Sequence, residues 1–350
     1  MNDEKQMILN MLKEGKITVE QASDLLGALG ANKNKSDNLT NKITGAVDSI
    51  IKKATDTIQA IDLDQALDLS QFNFKGEYNT HKEIRVDDEI KTIDIDIVNG
   101  DIEIDKSDDN SLVIRADVWA KKADLSDFLN VEVAGDKLSI NLNEAYKLIQ
   151  ATCDLKISLP ASSYDDLSIN QVNGKIEIAD VDFNNLDLNT VNGRILLINT
   201  KAFVNVSNVN GKIDIKNVFG PIDINNVNGS IYAYNIGGDY ADISTVNGNV
   251  RVDGLGSSKL IANSNAGTIR VFNIKSTKEI SLKSGFGNMV VDTSDFDGII
   301  RANVESKSIN ITEKFANKIQ DGKGYEISTS TEDPDLSIKV SCDFGRVSLR

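Results

Sequence analysis

A short motif recurs through most of the chain and constrains its fold more than any other feature. The tripeptide Val-Asn-Gly occurs six times, ending at Gly100, Gly174, Gly193, Gly211, Gly229 and Gly248. From Gly174 through Gly267 to Gly287, the glycines follow one another at intervals of 18 to 20 residues. A regular period of this length is typical of a repeat array, in which each repeat is one supersecondary unit.

The residues that follow each of these glycines alternate between apolar and polar. The second and fourth residues are apolar, as in Ile176 and Ile178, and a second alternating pair comes later in the unit, as in Leu186 and Leu188. Alternation with period two predicts strands, at least two per repeat. Such strands cannot bury their apolar faces within one repeat, but stacked repeats form parallel sheets around a continuous aliphatic core.

The predicted fold class is therefore mainly β: a parallel β-solenoid (β-helix) of 18–20-residue coils over residues 75–350. An Asn-Gly pair between alternating strands is also the strongest short signal for a β-hairpin, which would give an antiparallel meander or sandwich instead. The regular period favours the solenoid, because stacking in register tolerates few inserted residues. We expect the less regular end segments to act as caps and SCDFGRVSLR at the C-terminus to form a terminal coil.

The asparagines of the motif are predicted to have a structural role. A corner in each coil needs residues that tolerate positive φ, and Asn followed by Gly is well suited to it. Equivalent side chains in successive coils would stack as a ladder, each amide bonding to the next coil. The predicted turn ladder comprises Asn173, Asn192, Asn210, Asn228 and Asn247.

The N-terminal 30 residues have a different pattern. Apolar residues at helical spacing, with Thr18 and Gln21 forming a capping box between them, predict two short helices in an αα-hairpin over residues 1–30. A unit this small cannot bury a core alone. We therefore expect a homo-oligomer, or a complex with a protein partner, to form through the N-terminal helices.

Residues 31–38 are polar and predict a linker, and residues 39–61 predict an amphipathic helix. This helix could pack on the following domain, form an oligomerising coil or lie on a membrane surface. Its apolar stripe is the candidate interaction face and comprises Ile43, Val47, Ile50, Ala54 and Ile58.

The charge balance restricts the partners. Lysine and arginine number 38 against 53 acidic residues, giving a net charge of −15. This charge repels phosphate backbones, so we expect no nucleic-acid partner, whereas it attracts cationic peptides over long distances. The chain shows neither a secretory signal nor a long apolar run, which predicts a cytoplasmic protein or one peripheral at the membrane, with surface exposure only by non-classical export.

The chain has few of the residue types that usually carry out catalysis. The chain has a single histidine, His81, and its two cysteines, Cys153 and Cys342, lie in alternating strand sequence where a small buried hydrophobe is expected. Acidic pairs such as Asp94 with Asp96 lack the spacing of known calcium loops. We therefore expect no catalytic residues, metal or cofactor. The alternative is a carbohydrate-active β-helix enzyme, which would need converging carboxylates on long loops.

Two segments resemble known bacterial families. The opening MNDEKQMILNMLKEGKITVEQASDLLGALG is similar to the short helical domain that begins a group of Gram-positive envelope-stress proteins, related to short oligomerisation domains. The repeats, including VNGDIEI, VNGKIDI and CDFGRVSL, resemble a β-strand-repeat family whose members are labelled adhesins. This resemblance implies a role in the response to cationic antimicrobial peptides.

The sequence as a whole favours a non-catalytic interaction scaffold of the cell-envelope stress response. In this interpretation, an acidic solenoid presents a binding surface and the helical N-terminus mediates self-association or contacts a membrane or a regulator. A carbohydrate-active enzyme, or a cytoplasmic regulatory protein that binds a protein partner, remains the alternative.

Overall fold

The computed structural model describes residues 78–120, 125, 127–143, 151–315, 317–321 and 324–350. In these ranges the chain forms strands and no helix, so none of the described elements is a helix that could cross a membrane. The described chain is mainly β. The predicted helical hairpin, linker and amphipathic helix, residues 1–61, lie outside the described residues.

The strands divide into a first group, a long central series and a last group. The first group is β1 (Tyr78–Val86), β2 (Thr92–Asn99), β3 (Ile102–Lys106), β4 (Leu112–Ala120), β5 (Leu129–Ala134), β6 (Lys137–Leu142) and β7 (Ala151–Leu159). The central series is β8 (Tyr164–Asn173), β9 (Ile176–Ala179), β10 (Phe183–Asn192), β11 (Ile195–Lys201), β12 (Phe203–Asn210), β13 (Ile213–Phe219), β14 (Ile222–Asn228), β15 (Ile231–Asn247), β16 (Val250–Ala266), β17 (Ile269–Ile274), β18 (Glu279–Phe286) and β19 (Met289–Val291). The last group is β20 (Ile300–Ile311), β21 (Asn317–Asp321), β22 (Gly324–Ser328) and β23 (Leu336–Leu349).

Strands of the central series pair in parallel with the equivalent strand of the next repeat. Leu186 of β10, for example, lies beside Leu167 of β8 and Val204 of β12. Pairing across a whole repeat is what a solenoid requires, whereas a hairpin meander would pair consecutive strands in antiparallel fashion. The prediction of a mainly β chain with a solenoid-like fold is confirmed.

Each repeat forms one coil with a strand in each of two sheets. Coil 1 contains β2 and β3, coil 2 β8 and β9, coil 3 β10 and β11, and coil 4 β12 and β13. The long strands β15 and β16 each pass from one sheet to the other and are therefore shared between two coils. Coil 5 contains β14 and the start of β15, and coil 6 contains the rest of β15 and the start of β16. Coil 7 contains the rest of β16 and β17. Coil 8 contains β18 and β19. The first strand of each coil belongs to the back sheet and the second to the front sheet.

The core lies between the two sheets and is almost entirely aliphatic. The second and fourth residues after each motif glycine point inward, and Ile195, Leu197, Ile213 and Ile215 are all 0% exposed. The inward residues of the back sheet, such as Ile222, are buried to the same degree. Each such side chain contributes roughly 1.5–3 kcal/mol on burial, which accounts for the strict alternation in the sequence.

Both described ends change from parallel to antiparallel pairing. At one end β4 pairs antiparallel with both β7 and β1, and β5 pairs antiparallel with β6. At the other end β20 pairs antiparallel with β22, and β22 with β21. These antiparallel strands cover the ends of the stack, where unpaired parallel strands would expose their backbone groups.

The segment expected to form the terminal coil occupies a different place. Strand β23 lies between coil 8 and β20, because it pairs in parallel with β18 and β19 on one side and with β20 on the other. Val347 and Leu349 lie beside Met289 and Val291, so the segment forms a coil as predicted, but its expected place at the end of the stack was wrong. The chain first builds the outer strand β20 and its antiparallel cap and then returns inward, which a sequence period cannot show.

Candidate functional site

The motif asparagines lie in one column at a corner of the solenoid, where the back sheet passes to the front sheet. The Nδ2 atom of Asn192 donates a hydrogen bond to Oδ1 of Asn173 over 2.9 Å, and Asn210 donates to Asn192 over the same distance. Equivalent bonds of 2.9 and 3.0 Å extend the column to Asn228 and Asn247. The amide column therefore links each of these coils to its neighbour.

Within the predicted Asn-Gly corner, the glycines adopt the positive φ. Gly211 and Gly229 have φ of 151° and 145°, which side-chain-bearing residues rarely adopt. A Cβ atom on Gly211 would also overlap the backbone carbonyl oxygen of Gly193 in the preceding coil. Glycine is needed at this position for two reasons: consecutive coils approach closely, and the backbone has a conformation that glycine adopts most readily.

A second amide column, which the sequence interpretation missed, runs along the opposite corner. Asn199, Asn217 and Asn235 have φ of 51°, 53° and 51°, the left-handed conformation that asparagine tolerates. The Nδ2 atoms of Asn217 and Asn235 each donate to the preceding asparagine over 2.8 Å. These residues occupy the sixth position after the motif glycine, a regularity that could have revealed them.

A third column of polar side chains is buried inside the corner. It occupies the third position before each motif glycine, and all its members except Thr190 donate to the glycine carbonyl oxygen of the preceding coil. Asn208 Nδ2 lies 3.0 Å from the Gly193 oxygen, and Ser264 Oγ lies 2.8 Å from the Gly248 oxygen. The column comprises Gln171, Thr190, Asn208, Asn226, Thr245, Ser264, Ser284 and Cys342, all at most 4% exposed.

Both cysteines are buried, and burial accounts for their chemistry. Burial in apolar surroundings raises the pKa of the Cys153 thiol to about 12, with a smaller effect of Asp154. The pKa of Cys342 is also raised by burial, and its Sγ atom lies 3.3 Å from the Gly287 carbonyl oxygen. Neither thiol is poised as a nucleophile, because thiolate formation is disfavoured.

The remaining candidates for catalysis or metal binding are engaged in ordinary surface contacts. His81 is exposed, and its Nδ1 atom lies 2.9 Å from Asp117 Oδ1. Asp94 forms an ion pair with Lys137, and Asp96 accepts a hydrogen bond from Asn170. Among the described residues, no group of three or more histidine, cysteine or acidic side chains is arranged to hold a metal ion.

The outward surface of the back sheet is acidic and amide-rich. Strands β8, β10, β12 and β14 contain no lysine or arginine, and coils 2, 3, 5 and 6 carry Asp166, Asp187, Asp223 and Asp242, which are all half-buried. The last three occupy one column, in which Asp223 lies beside Asp242. Neutral amides donate to these carboxylates, as Asn225 does to Asp223 over 2.8 Å. From coil 2 to coil 6 the back sheet is thus a negatively charged surface.

The outward surface of the front sheet is basic and aromatic. Arg194 and Lys212 both contact Asp214 at 2.7 Å, and its side chain is only 7% exposed. Tyr232 occupies the next coil, with the Lys212 ammonium 4.4 Å from the centre of its ring, and Tyr234 beside it is 56% exposed. Tyrosine and arginine are enriched at protein interfaces, so this surface has the composition of a contact region.

Basic residues continue along the front sheet beyond the tyrosines. The Arg251 guanidinium lies 2.8 Å from Asp253 and 4.7 Å from the centre of the Phe272 ring. Hydrogen bonding from Arg251 lowers the pKa of Asp253. Arg270 is exposed in the following coil. The two surfaces of one solenoid therefore differ in charge, a property that the net charge of the chain does not reveal.

The candidate interaction face on the predicted amphipathic helix lies outside the described residues. Its members are Ile43, Val47, Ile50, Ala54 and Ile58.

Comparison with protein families gives two matches. Residues 90–350 match the family described as Toastrack DUF4097. Residues 3–34 match a SHOCT-like domain. No curated protein matches the chain.

Several solved structures are similar over most of the chain. A "putative adhesin" from Bacteroides fragilis is 13% identical, with 79% of this chain and 99% of that chain covered and a TM-score of 0.40. A "putative lipid binding protein" from Parabacteroides distasonis is also 13% identical, with 78% and 98% covered and a TM-score of 0.43. Because both TM-scores are below 0.5, the fold assignment rests on the strand register and the family match.

Proposed function

This chain belongs to the Toastrack DUF4097 family, and we propose that its β-solenoid is a non-catalytic binding scaffold of the bacterial cell-envelope stress response. In this proposal the back sheet is the binding surface and cationic peptides are its ligands. The observation that carries the proposal is the series of aspartates on the back sheet, Asp166, Asp187, Asp223 and Asp242, on coils whose back strands contain no lysine or arginine.

The geometry suits an extended basic peptide. Adjacent strands of a sheet lie about 4.8 Å apart, so the carboxylates form a rigid series along the solenoid axis that side chains of a basic peptide can follow. Charges at the surface attract a cationic ligand over distances of about 8 Å at physiological ionic strength. Such attraction raises the rate of encounter and weakens as salt is added.

The N-terminal part completes the proposal. We assign self-association, or contact with a regulator or a membrane surface, to residues 1–61, whose first segment matches a SHOCT-like domain. The protein would then act in the cytoplasm or at the membrane, with surface exposure by non-classical export. Fractionation of the native host with protease treatment of intact cells, with and without a cationic peptide, tests this placement. Protein that stays soluble and protected in both conditions would contradict the membrane and surface parts of it.

Peptide binding is tested with a fluorescently labelled lysine-rich peptide and the full chain. We expect binding that weakens steeply between about 0.05 and 0.5 M salt. The variant Asp187→Asn/Asp242→Asn should bind about threefold to tenfold more weakly, because each exposed charge pair contributes up to about 1 kcal/mol.

The control is Asp295→Asn/Asp297→Asn, which removes the same charge from an exposed loop away from the back sheet. Equal weakening by both variants would show that only net charge matters and would overturn the assignment to the back sheet. Binding that does not respond to salt would do the same.

A further inference from the structure

The charges on the two sheets follow matching patterns along the solenoid. On the back sheet, aspartates occupy coils 1, 2, 3, 5 and 6, with no acidic residue in β12 of coil 4. The series is Asp94, Asp166, Asp187, Asp223 and Asp242. Asn205 occupies the column in coil 4, between Asp187 and Asp223.

On the front sheet, Lys106 ends the strand of coil 1, and beyond that coil basic residues occupy coils 2, 3, 4, 6 and 7, with none in coil 5. The series is Lys175, Arg194, Lys216, Arg251 and Arg270, with Lys212 as a second basic residue in coil 4. Tyr232 and Tyr234 occupy the outward positions of coil 5. The two series therefore have the same spacing, including the single missing position, when one is shifted by one coil against the other.

We propose that two copies of this chain associate front sheet to back sheet, with parallel axes and a displacement of one coil. The partner is a second copy because its repeat has the same rise per coil, about 4.8 Å, so basic residues and aspartates meet coil by coil. Within the front sheet, Lys216 lies two residues along the strand from the column of Arg251 and Arg270. In this arrangement Lys216 of one copy faces Asp187 of the other, and Arg270 faces Asp242. The exposed tyrosines of coil 5 meet the uncharged position at Asn205.

Ion pairs within the front sheet do not engage all of its basic residues. Lys175, Arg194 and Arg251 each have an acidic neighbour in their own sheet, at 2.5, 2.7 and 2.8 Å respectively. No ion pair joins Lys216 or Arg270 to another described residue. Because the contact uses two different surfaces and displaces each copy by one coil along a parallel axis, it does not close, and further copies can add at either side.

Association is tested by analytical ultracentrifugation of the full chain at about 20 mM and about 0.5 M salt. Two charge reversals separate the surfaces: Lys216→Glu/Arg270→Glu on the front sheet and Asp187→Lys/Asp242→Lys on the back sheet. We expect the wild-type mass to increase with concentration at low salt and the salt-dependent part to vanish in each variant. A one-to-one mixture of the two variants should associate again, because the reversed surfaces complement each other.

Restoration in the mixture also shows that both variants are folded. The control Arg85→Glu/Lys318→Glu, which changes the same charge at exposed positions in the end strands β1 and β21, should behave as wild type. A mixture that sediments as its separate components would overturn the proposal, as would a wild-type mass that salt does not change. The front-sheet variant should still bind the lysine-rich peptide, because its back sheet is intact. This measurement therefore separates a failure of the association from a failure of the proposed peptide binding.

The displacement of one coil has its own test. The native cysteines are buried, so a mixture of Lys216→Cys and Asp187→Cys chains should form an intermolecular disulfide under mild oxidation. A mixture of Lys216→Cys and Asp223→Cys, two coils further along the column, should form much less. Equal yields would contradict the stated register.

Discussion

The side-chain amide of Asn226 donates to the backbone carbonyl oxygen of Gly211 over 2.9 Å, linking two successive coils at their closest approach. Asn226 is 1% exposed, so without this donor the carbonyl group would be buried with one partner fewer. The glycine permits the close approach, and the polar side chain of the next coil donates to the carbonyl group that the approach buries. The two positions of the repeat therefore depend on each other.

Replacement of Asn226 tests this dependence. Asn226→Ala should lower the free energy of unfolding by about 1–3 kcal/mol, because it leaves the Gly211 carbonyl buried without its side-chain donor. Asn226→Thr should restore most of the loss, since Thr245 makes the equivalent bond to Gly229 at 3.2 Å in the next coil. Urea unfolding followed by circular dichroism provides both values. Equal stability of the alanine variant and wild type would contradict the proposed role of the buried column.

The close approach of the coils is tested at the glycine. Gly211→Ala should cost about 4 kcal/mol or more, because its Cβ atom would overlap the Gly193 carbonyl and its φ is 151°. The control is Gly135→Ala, where φ is 66° but no heavy atom lies within 4 Å, and the expected cost is about 1–2 kcal/mol. Similar losses at the two positions in thermal or urea unfolding would show that conformation alone requires the glycine.

The column of Val-Asn-Gly asparagines predicts both a loss and a gain. Asn210→Ala should destabilise the chain by about 1–2 kcal/mol, because Asn210 bonds to both Asn192 and Asn228. Ala266 follows Asn247 in the same column, so Ala266→Asn should extend it and add about 1 kcal/mol. Urea unfolding of both variants provides the measurement. A neutral result at both positions would show that the column contributes no net stability.

The buried thiol at Cys153 predicts a pH dependence. Burial raises its pKa to about 12, whereas an unfolded cysteine ionises near pH 8.5. Above pH 8.5 the unfolded chain therefore releases a proton that the folded chain keeps, and the free energy of unfolding should fall as pH rises toward 12. Cys153→Ala should remove this part of the slope. In wild type, alkylation at pH 8 followed by mass spectrometry should find Cys153 protected until urea is added.

The sequence predicted the repeat and the core because both depend on local alternation. Ile195 and Leu197, or Ile213 and Ile215, are apolar at fixed positions and are fully buried, so period two was sufficient to place them. The place of β23 could not be predicted, because the reversal of the chain that inserts it beside coil 8 changes pairing and leaves the alternation intact. The two amide columns show the same distinction, since the sequence predicted only the column inside the Val-Asn-Gly motif.

The surfaces were harder to predict than the core. Net charge gave an acidic protein, yet Asp187 and Lys216 belong to sheets of opposite character, which becomes visible only when the register assigns each residue to a sheet. The net charge sums the charges on both sheets of the solenoid, whereas the strand pairing assigns each charge to one sheet.

Peptide binding and front-to-back association use the same aspartates, so they should compete. A lysine-rich peptide added to the associated chain should reduce its average mass in sedimentation at low salt, because it occupies Asp187 and Asp242 in place of a second copy. A neutral peptide of equal length should have no effect. If the basic peptide binds without changing the mass, the two proposals do not share a surface.

The most direct test of peptide binding is the position of the bound peptide. A lysine-rich peptide carrying a photoreactive group can be cross-linked to the full chain at low salt and its attachment sites read by mass spectrometry. We predict attachment to the back sheet, in β10, β14 and the second half of β15. Attachment confined to the front sheet or to residues 1–61 would contradict the account.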